Sequence, residues 1–168
     1  MPPMTRTIAS GLKLRPMTDA DLPFTALLYA STRNEELAVT GWPPEAIQAF
    51  LAQQHAAQHA HYQRHFSDME ALIVEQGDAP VGRLYLYEGP QDVRIVDIAL
   101  LPEARRHGFG AAMLADVLAH AGQRNKRVSI HVEITNPART LYARLGFEIV
   151  ESDGGAYDLW EWRGAPAA

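Results

Sequence analysis

The sequence predicts a mixed α+β fold: a mostly antiparallel sheet with one parallel, splayed strand pair, flanked by about four helices. Between Ala71 and Leu100, strand-like runs are separated by short turns rich in Gly, Pro and Asp, the pattern of an antiparallel meander. A helical stretch, Gly108 to Ala121, then joins two strands, and a strand–helix–strand crossover makes those strands parallel neighbours. The full order, β-αα-βββ-α-β-α-ββ, combines both kinds of connection in one sheet.

Leu12, Leu14 and Pro16 read as a short first strand stopped by the proline. Thr18 is placed to cap a helix whose first turn carries Asp19 and Asp21, and Leu22, Leu27, Leu28 and Tyr29 carry it towards Arg33. Gly41-Trp42-Pro43-Pro44 breaks the pattern. A long helix follows from Glu45 to about His65; its apolar positions are Ile47, Phe50, Leu51, Tyr62 and Phe66, and its middle is rich in Ala, Gln and His.

Strands are expected over Ala71–Glu75, Val81–Tyr87 and Val93–Leu100. In the helix from Gly108 to Ala121, one face carries Phe109, Met113, Val117, Leu118 and Ala121. Val128 to Ile134 alternates, with Ser129, His131 and Glu133 on the polar face. Asn136 caps a short helix, Pro137 takes its first position, Gly146 ends it, and Ala138, Leu141, Tyr142 and Leu145 form its apolar stripe. A hairpin of Phe147–Glu151 and Tyr157–Arg163 closes the chain, with Trp160 and Trp162 pointing the same way, into the core or onto a homodimer partner. The expectation is a single domain over 1–168, frayed from Gly164.

Of the 168 residues, 47% are apolar and 21% charged, an ordinary globular composition. A net charge of −5 argues against a general nucleic-acid partner. The absence of cysteine excludes disulfides, thiolate metal sites and a cysteine nucleophile, and agrees with a reducing compartment. No signal-peptide core occurs in Met1 to Ser10 and no stretch is apolar enough to span a bilayer, so the expectation is a cytoplasmic protein with no membrane partner. His55/His59 and His61/His65 have metal-binding spacing, but no third ligand is indicated, and no metal is expected.

The segment Ile98-Ala99-Leu100-Leu101-Pro102-Glu103-Ala104-Arg105-Arg106-His107-Gly108-Phe109-Gly110-Ala111 carries the chemistry. It runs from strand through a glycine-bearing turn into a helix. Glycines let the backbone approach a ligand, free amides at a helix start suit a phosphate, and Arg105 and Arg106 add positive charge. It is not a dinucleotide fingerprint, because position 113 is Met, and it lacks the Gly-Lys-Ser/Thr of a P-loop.

Leu100-x-Pro102 followed by Arg105-x-x-Gly108-x-Gly110 resembles the pyrophosphate-binding motif of the GCN5-related N-acetyltransferases. Asn136-Pro137-Ala138 with Leu141-Tyr142-x-x-Leu145-Gly146-Phe147 resembles that family's second motif. The resemblance covers roughly residues 80 to 163. It implies that the strand ending at Leu100 splays from the strand starting at Val128, with the pantetheine of acetyl-CoA in the gap, pairing with backbone at Ile98 and Leu100. It implies that amides from Arg106 through His107, Gly108, Phe109 and Gly110 to Ala111 hold the pyrophosphate. Asn136 would meet the pantetheine, Arg139 or Arg144 the nucleotide phosphate, and Tyr142 would protonate the departing thiolate.

Attack of an amine on a thioester needs a neutral amine, a donor for the carbonyl oxygen and an acid for the thiolate. A backbone amide within Ile98-Ala99-Leu100 fits the second need; Tyr142 fits the third or is a core tyrosine. Asp97 interrupts an apolar strand and assists the base, binds a substrate ammonium or anchors an arginine such as Arg83 or Arg94. His131 and Glu133 are candidate bases or a solvated strand face. Arg33, Glu35, Glu36 and Trp42 lie where the family shapes its acceptor pocket, or form a solvated charge cluster. The activity implied is acetyl transfer to a small-molecule or peptide amine. The alternatives are a non-catalytic acyl-CoA-binding module and an unrelated nucleotide-phosphate binder.

Overall fold

Alternating apolar residues decide which side of each strand is dry, and the sheet follows from satisfying them all at once. The computed structural model describes residues 5–65 and 68–164. Phe66, the first four residues, the tail beyond Gly164 and the Glu35 side chain, all named above, lie outside the described residues.

The strands are β1 (Arg6–Thr7), β2 (Leu12–Pro16), β3 (Glu70–Gln76), β4 (Ala79–Glu88), β5 (Asp92–Leu100), β6 (Arg127–Glu133), β7 (Glu148–Ser152) and β8 (Tyr157–Trp162). They form one sheet in the order β1-β2-β3-β4-β5-β6-β8-β7, in which only β5 and β6 are parallel. The helices are α1 (Leu22–Ala38), α2 (Pro44–His65), α3 (Phe109–Gln123) and α4 (Arg139–Arg144).

One face of the sheet packs on α3 and α4. Leu84, Leu86, Val93, Ile95, Val128, Ile130 and Val132 meet Phe109, Met113, Leu114 and Val117 there, all buried. Each such side chain contributes about 1.5–3 kcal/mol by leaving water. Trp160 belongs to this core and Trp162 packs against it. The opposite face, carrying Ile73, Arg83, Tyr85 and Asp97, lies under α1 and α2.

Two local features differ from the sequence expectation, and a third settles an order it left open. Thr18 caps a short 3-10 turn, Asp19–Asp21, through a reciprocal pair with Asp21, and α1 starts after it and runs on to Ala38. α4 begins at Arg139 because the first turn is closed by the Asn136 side chain, whose Oδ1 accepts from the Ala138 amide at 2.9 Å. In the closing hairpin, β8 and not β7 lies against β6, which brings Asp158 next to Val132.

The feature that positions the site is a bulge. Tyr85 pairs with Asp97 and Leu86 with Ile95, so Val96 is an extra residue on β5. Pairing between β5 and β6 stops at Ile95 and Ile130. Beyond that point β5 stays on β4 and β6 stays on β8. A bulge bends and twists its strand, and here the neighbours part company, leaving a V-shaped gap. At the wide end, Gly82 lets β4 press on β5: a Cβ there would lie 2.4 Å from the Ala99 carbonyl oxygen.

Candidate active site

At the wide end of the gap the chain turns from β5 into α3. Arg106 and Gly108 both have positive φ, 65° and 78°, which folds the backbone into a concave turn. Among the described residues, no amide from Arg106 to Ala111 donates to a backbone or side-chain acceptor; the first engaged is Ala112, which donates to the Gly108 carbonyl at 3.0 Å. A Cβ on Gly108 would meet nothing within 4 Å, and one on Gly110 would meet only Leu141 Cδ2 at 3.8 Å. A run of unpaired N–H groups at a helix start, facing open space, is an anion site in waiting. Arg105 folds back to donate from Nε to the Leu100 carbonyl at 3.2 Å, while Arg106 and His107 stay exposed.

The same logic applies along β5. Past Ile95, its backbone on the β6 side has no strand partner. This includes Ile98, Ala99 and Leu100, so an extended ligand can take the place of the missing strand.

Tyr142 on α4 lies near the point where the strands part: its ring centre is 6.4 Å from that of Trp160, the strand partner of Ile130. It is 3% exposed, and its ring packs edge-on against Phe147 with centroids 5.6 Å apart. Among the described residues its hydroxyl has no hydrogen-bond partner. Burial, with a smaller contribution from the charge of Asp97, pushes the phenol up to about 12. It therefore holds its proton throughout the neutral range.

On the opposite side, Asp97 lies 2.5 Å from Nη2 of Arg83, the arginine contact among its sequence readings. Arg83 is nearly fully buried. It donates to Gln58 Oε1 at 3.0 Å, and its guanidinium sits 4.9 Å from the centre of the Tyr85 ring. The Tyr62 hydroxyl points at Asp97 from α2, at 3.5 Å. Tyr62 was readable only as a helix core position, and Tyr85 as one strand residue among several. The alternation Arg83, Tyr85, Tyr87 is the signal that would have found Tyr85; none in the sequence points to Tyr62.

His131 is exposed and lies 3.0 Å, through Nδ1, from Arg94 Nη1; Arg94 also donates to Ser129 Oγ at 2.7 Å. Burial and then the Arg94 charge hold the His131 ring below its usual 6.5. Glu133 accepts from the Tyr157 hydroxyl at 3.2 Å. With Arg33 and Glu36 it lines a concavity of about 420 Å³ at the outer end of β6. Arg33 reaches Glu36 at 3.2 Å and donates to the Tyr29 hydroxyl at 2.7 Å.

Other residues named from the sequence stand apart from this group. Trp42 is packed edge-on against Phe50. Arg139 donates to the Ile134 carbonyl at 2.7 Å, lies 3.3 Å from Asp158 and covers the Trp160 ring, so it ties α4 to the sheet. Arg144 is exposed at the end of α4. His55 is engaged with Thr25 Oγ1 at 2.9 Å, and the His61 and His65 rings lie tilted with centroids 4.5 Å apart. No cluster of three or more metal-ligating side chains occurs among the described residues, and no described helix is long and apolar enough to cross a membrane.

Comparison with known proteins places this geometry. The sequence model of the acetyltransferase (GNAT) family matches residues 34–147. Over 89 residues the chain is 33% identical to mycothiol acetyltransferase of Thermobifida fusca (strain YX), a match covering 53% of this chain but 25% of that protein. The chain thus spans about a quarter of the curated relative's length. Its fold is similar to that of PaiA N-acetyltransferase from Thermoplasma acidophilum, solved with coenzyme A: TM-score 0.69 at 14% identity, covering 91% of this chain and 99% of that one. An acetyltransferase from Thermus thermophilus superposes with TM-score 0.62 at 21% identity, over 89% and 95% of the two chains. One from Elizabethkingia anophelis, with acetyl-CoA bound, gives 0.61 at 16% identity, over 92% and 99%.

Proposed function

Because the chain belongs to the acetyltransferase (GNAT) family, we propose that it is a cytoplasmic enzyme that transfers an acetyl group from acetyl-CoA to a primary amine, by direct attack with both substrates bound. The observation that carries this is the continuity of unpaired backbone: open amides from Arg106 to Ala111 lead into the free edge of β5, and that edge runs towards Tyr142. A diphosphate suits the first part and an extended amide-bearing arm the second.

Acetyl-CoA supplies an activated carbonyl: an N–C bond forms, the C–S bond breaks, the sulfur gains one proton and the nitrogen loses one. The protein's part is positioning and proton handling. Amides of the Gly108 turn hold the phosphates with charge from Arg106. A backbone amide within Ile98-Ala99-Leu100 meets the carbonyl oxygen. Tyr142, protonated and without a partner of its own, is the donor to sulfur. Asn136 has its Oδ1 engaged by Ala138, which leaves its amide N–H groups for the carrier arm. Glu133 is the better candidate for the base, because the His131 lone pair at Nδ1 is already taken by Arg94.

The test is thiol release from acetyl-CoA with a panel of amines. Amine-dependent release by wild-type protein, lost on replacing Tyr142 with Phe, is expected. Tight acetyl-CoA binding with no turnover on any amine would favour a non-catalytic acyl-CoA-binding module.

A further inference from the structure

The face under α1 and α2 has two concavities of different chemistry. The one at Glu133 is charged, with Arg33, Glu36 and Glu133 in its wall. The other, about 300 Å³, is walled by Met17, His59, Tyr62, Met69, Ala71 and Tyr85, with exposed Thr18, Asp19 and Gln63 at its edge.

The second lies closer to the point where β5 and β6 part. Tyr85 is the cross-strand neighbour of Asp97, the first residue past the bulge, and the Tyr62 hydroxyl is 3.5 Å from the Asp97 carboxylate. A carrier fixed by its phosphates at Gly108 and extended back along β5 runs towards Asp97, the strand neighbour of Tyr85 in this wall. Glu133 stands on β6 across the gap, past Ile130, and serves the amine end of the acceptor, not its body.

Much of its wall is apolar and aromatic, and Thr18, Asp19, His59 and Gln63 add polar groups. The Tyr62 and Tyr85 rings meet edge-on with centroids 5.5 Å apart, and two thioethers complete the wall. Aromatic rings and sulfur favour apolar and aromatic guests. Asp97, beside Tyr62, is paired with buried Arg83, and the carboxylate of the lining, Asp19, is exposed, where water and salt screen it. Its size suits a small molecule.

We propose that this concavity seats the body of the acceptor, and that the acceptor is a monoamine bearing an uncharged aromatic or apolar body. The proposal rests on the transferase reading and names its substrate class.

The experiment compares 2-phenylethylamine, 1,4-diaminobutane and L-alanine as acceptors with acetyl-CoA, and measures by calorimetry the binding of 2-phenylethylamine to CoA-saturated protein. The variants are Ala71→Phe, which fills the concavity, Met17→Ala, which enlarges it, and Glu36→Gln in the charged one. The expected result is a kcat/KM for 2-phenylethylamine at least tenfold above the other two. Ala71→Phe should raise its KM tenfold or more with kcat within about threefold and acetyl-CoA affinity unchanged, and Met17→Ala should raise KM by a smaller factor. Preference for the diamine or the amino acid would overturn the proposal, as would a KM sensitive to Glu36→Gln but not to Ala71→Phe or Met17→Ala. If no amine turns over, the transferase reading fails; calorimetric binding that Ala71→Phe or Met17→Ala weakens still supports the concavity, and binding that neither alters overturns it.

Discussion

Arg94 Nη1 lies 3.0 Å from His131 Nδ1, and since a guanidinium only donates, Nδ1 must be the acceptor. A neutral ring in that arrangement carries its proton on Nε2 and has no free lone pair. Burial and the Arg94 charge both hold the ring below 6.5, so it is neutral at pH 7. In the proposed mechanism His131 is therefore a placed donor, and the proton goes to Glu133. Replacing His131 with Gln should keep kcat within about threefold at pH 8, whereas Glu133→Gln should lower it by about tenfold or more. Replacing Arg94 with Leu should raise the His131 pKa towards its ordinary value, read by NMR titration. Loss of turnover in His131→Gln with acceptor binding intact would return the base role to the histidine.

The two glycines of the turn separate strain from occlusion. Gly108 has φ 78°, so Gly108→Val adds backbone strain of about 1–3 kcal/mol as well as a side chain in the phosphate path. Gly110 has no such φ, and a Cβ there is in ordinary contact with Leu141, so Gly110→Val chiefly obstructs the outside of the turn. Both variants should weaken acetyl-CoA binding by about tenfold or more by calorimetry, while only Gly108→Val shifts the melting temperature strongly. Unchanged affinity in Gly110→Val would argue that the phosphates lie elsewhere.

Tyr142→Phe should reduce kcat by about tenfold to a hundredfold with little change in acetyl-CoA affinity. It should also alter alkaline stability. The folded phenol titrates at about 12, above its unfolded value of 10, so its contribution is complete below pH 10 and is lost as pH rises towards 12. That loss, on the order of 2–3 kcal/mol, should be absent in the Phe variant, as denaturant melts between pH 9 and 12 would show.

The acid side depends on Asp21. Its carboxyl is held below 3.8 chiefly by the Arg15 hydrogen bond, against the opposing effect of burial, with the Thr18 amide helping. Arg15 reaches it at 2.7 Å and also reaches Glu75 at 3.1 Å, joining β2, β3 and the entry to α1. A lowered folded pKa means stability present above about pH 4 and lost as pH falls through the folded value. Asp21→Asn should cost about 1–2 kcal/mol at pH 7, and melts should show the variant losing less than wild type below pH 4.

How far the sequence could be read is clear from particular residues. The meander, the α3 stripe and the parallel pair were legible because period and turn chemistry are local signals: Val93 to Leu100 and Phe109 to Ala121 needed no tertiary knowledge. The extra residue at Val96 was not, since a bulge is defined only by the partner strand, and with it went the physical origin of the gap. The pairing of Asp97 was legible as a need for an arginine, with the choice between Arg83 and Arg94 set by register: Arg83 faces Ala99 on the Asp97 side of the bulge, while Arg94 precedes it and turns to Ser129 and His131. The role of Tyr62 was hidden because helical periodicity reports that a residue faces inwards, not what it meets there. Likewise Arg139 sits at a position where the family resemblance pointed to a phosphate, and only the hairpin order, β8 against β6, brings Asp158 within its reach.

Amide hydrogen exchange with and without acetyl-CoA tests the central claim most directly, since the account makes main-chain N–H groups the ligand-holding element. Added acetyl-CoA should slow exchange over residues 106–111 and along Ile98 to Leu100, with little change in β7 or the outer half of α2. Protection confined to other segments, or none at the Gly108 turn under saturating acetyl-CoA, would contradict it.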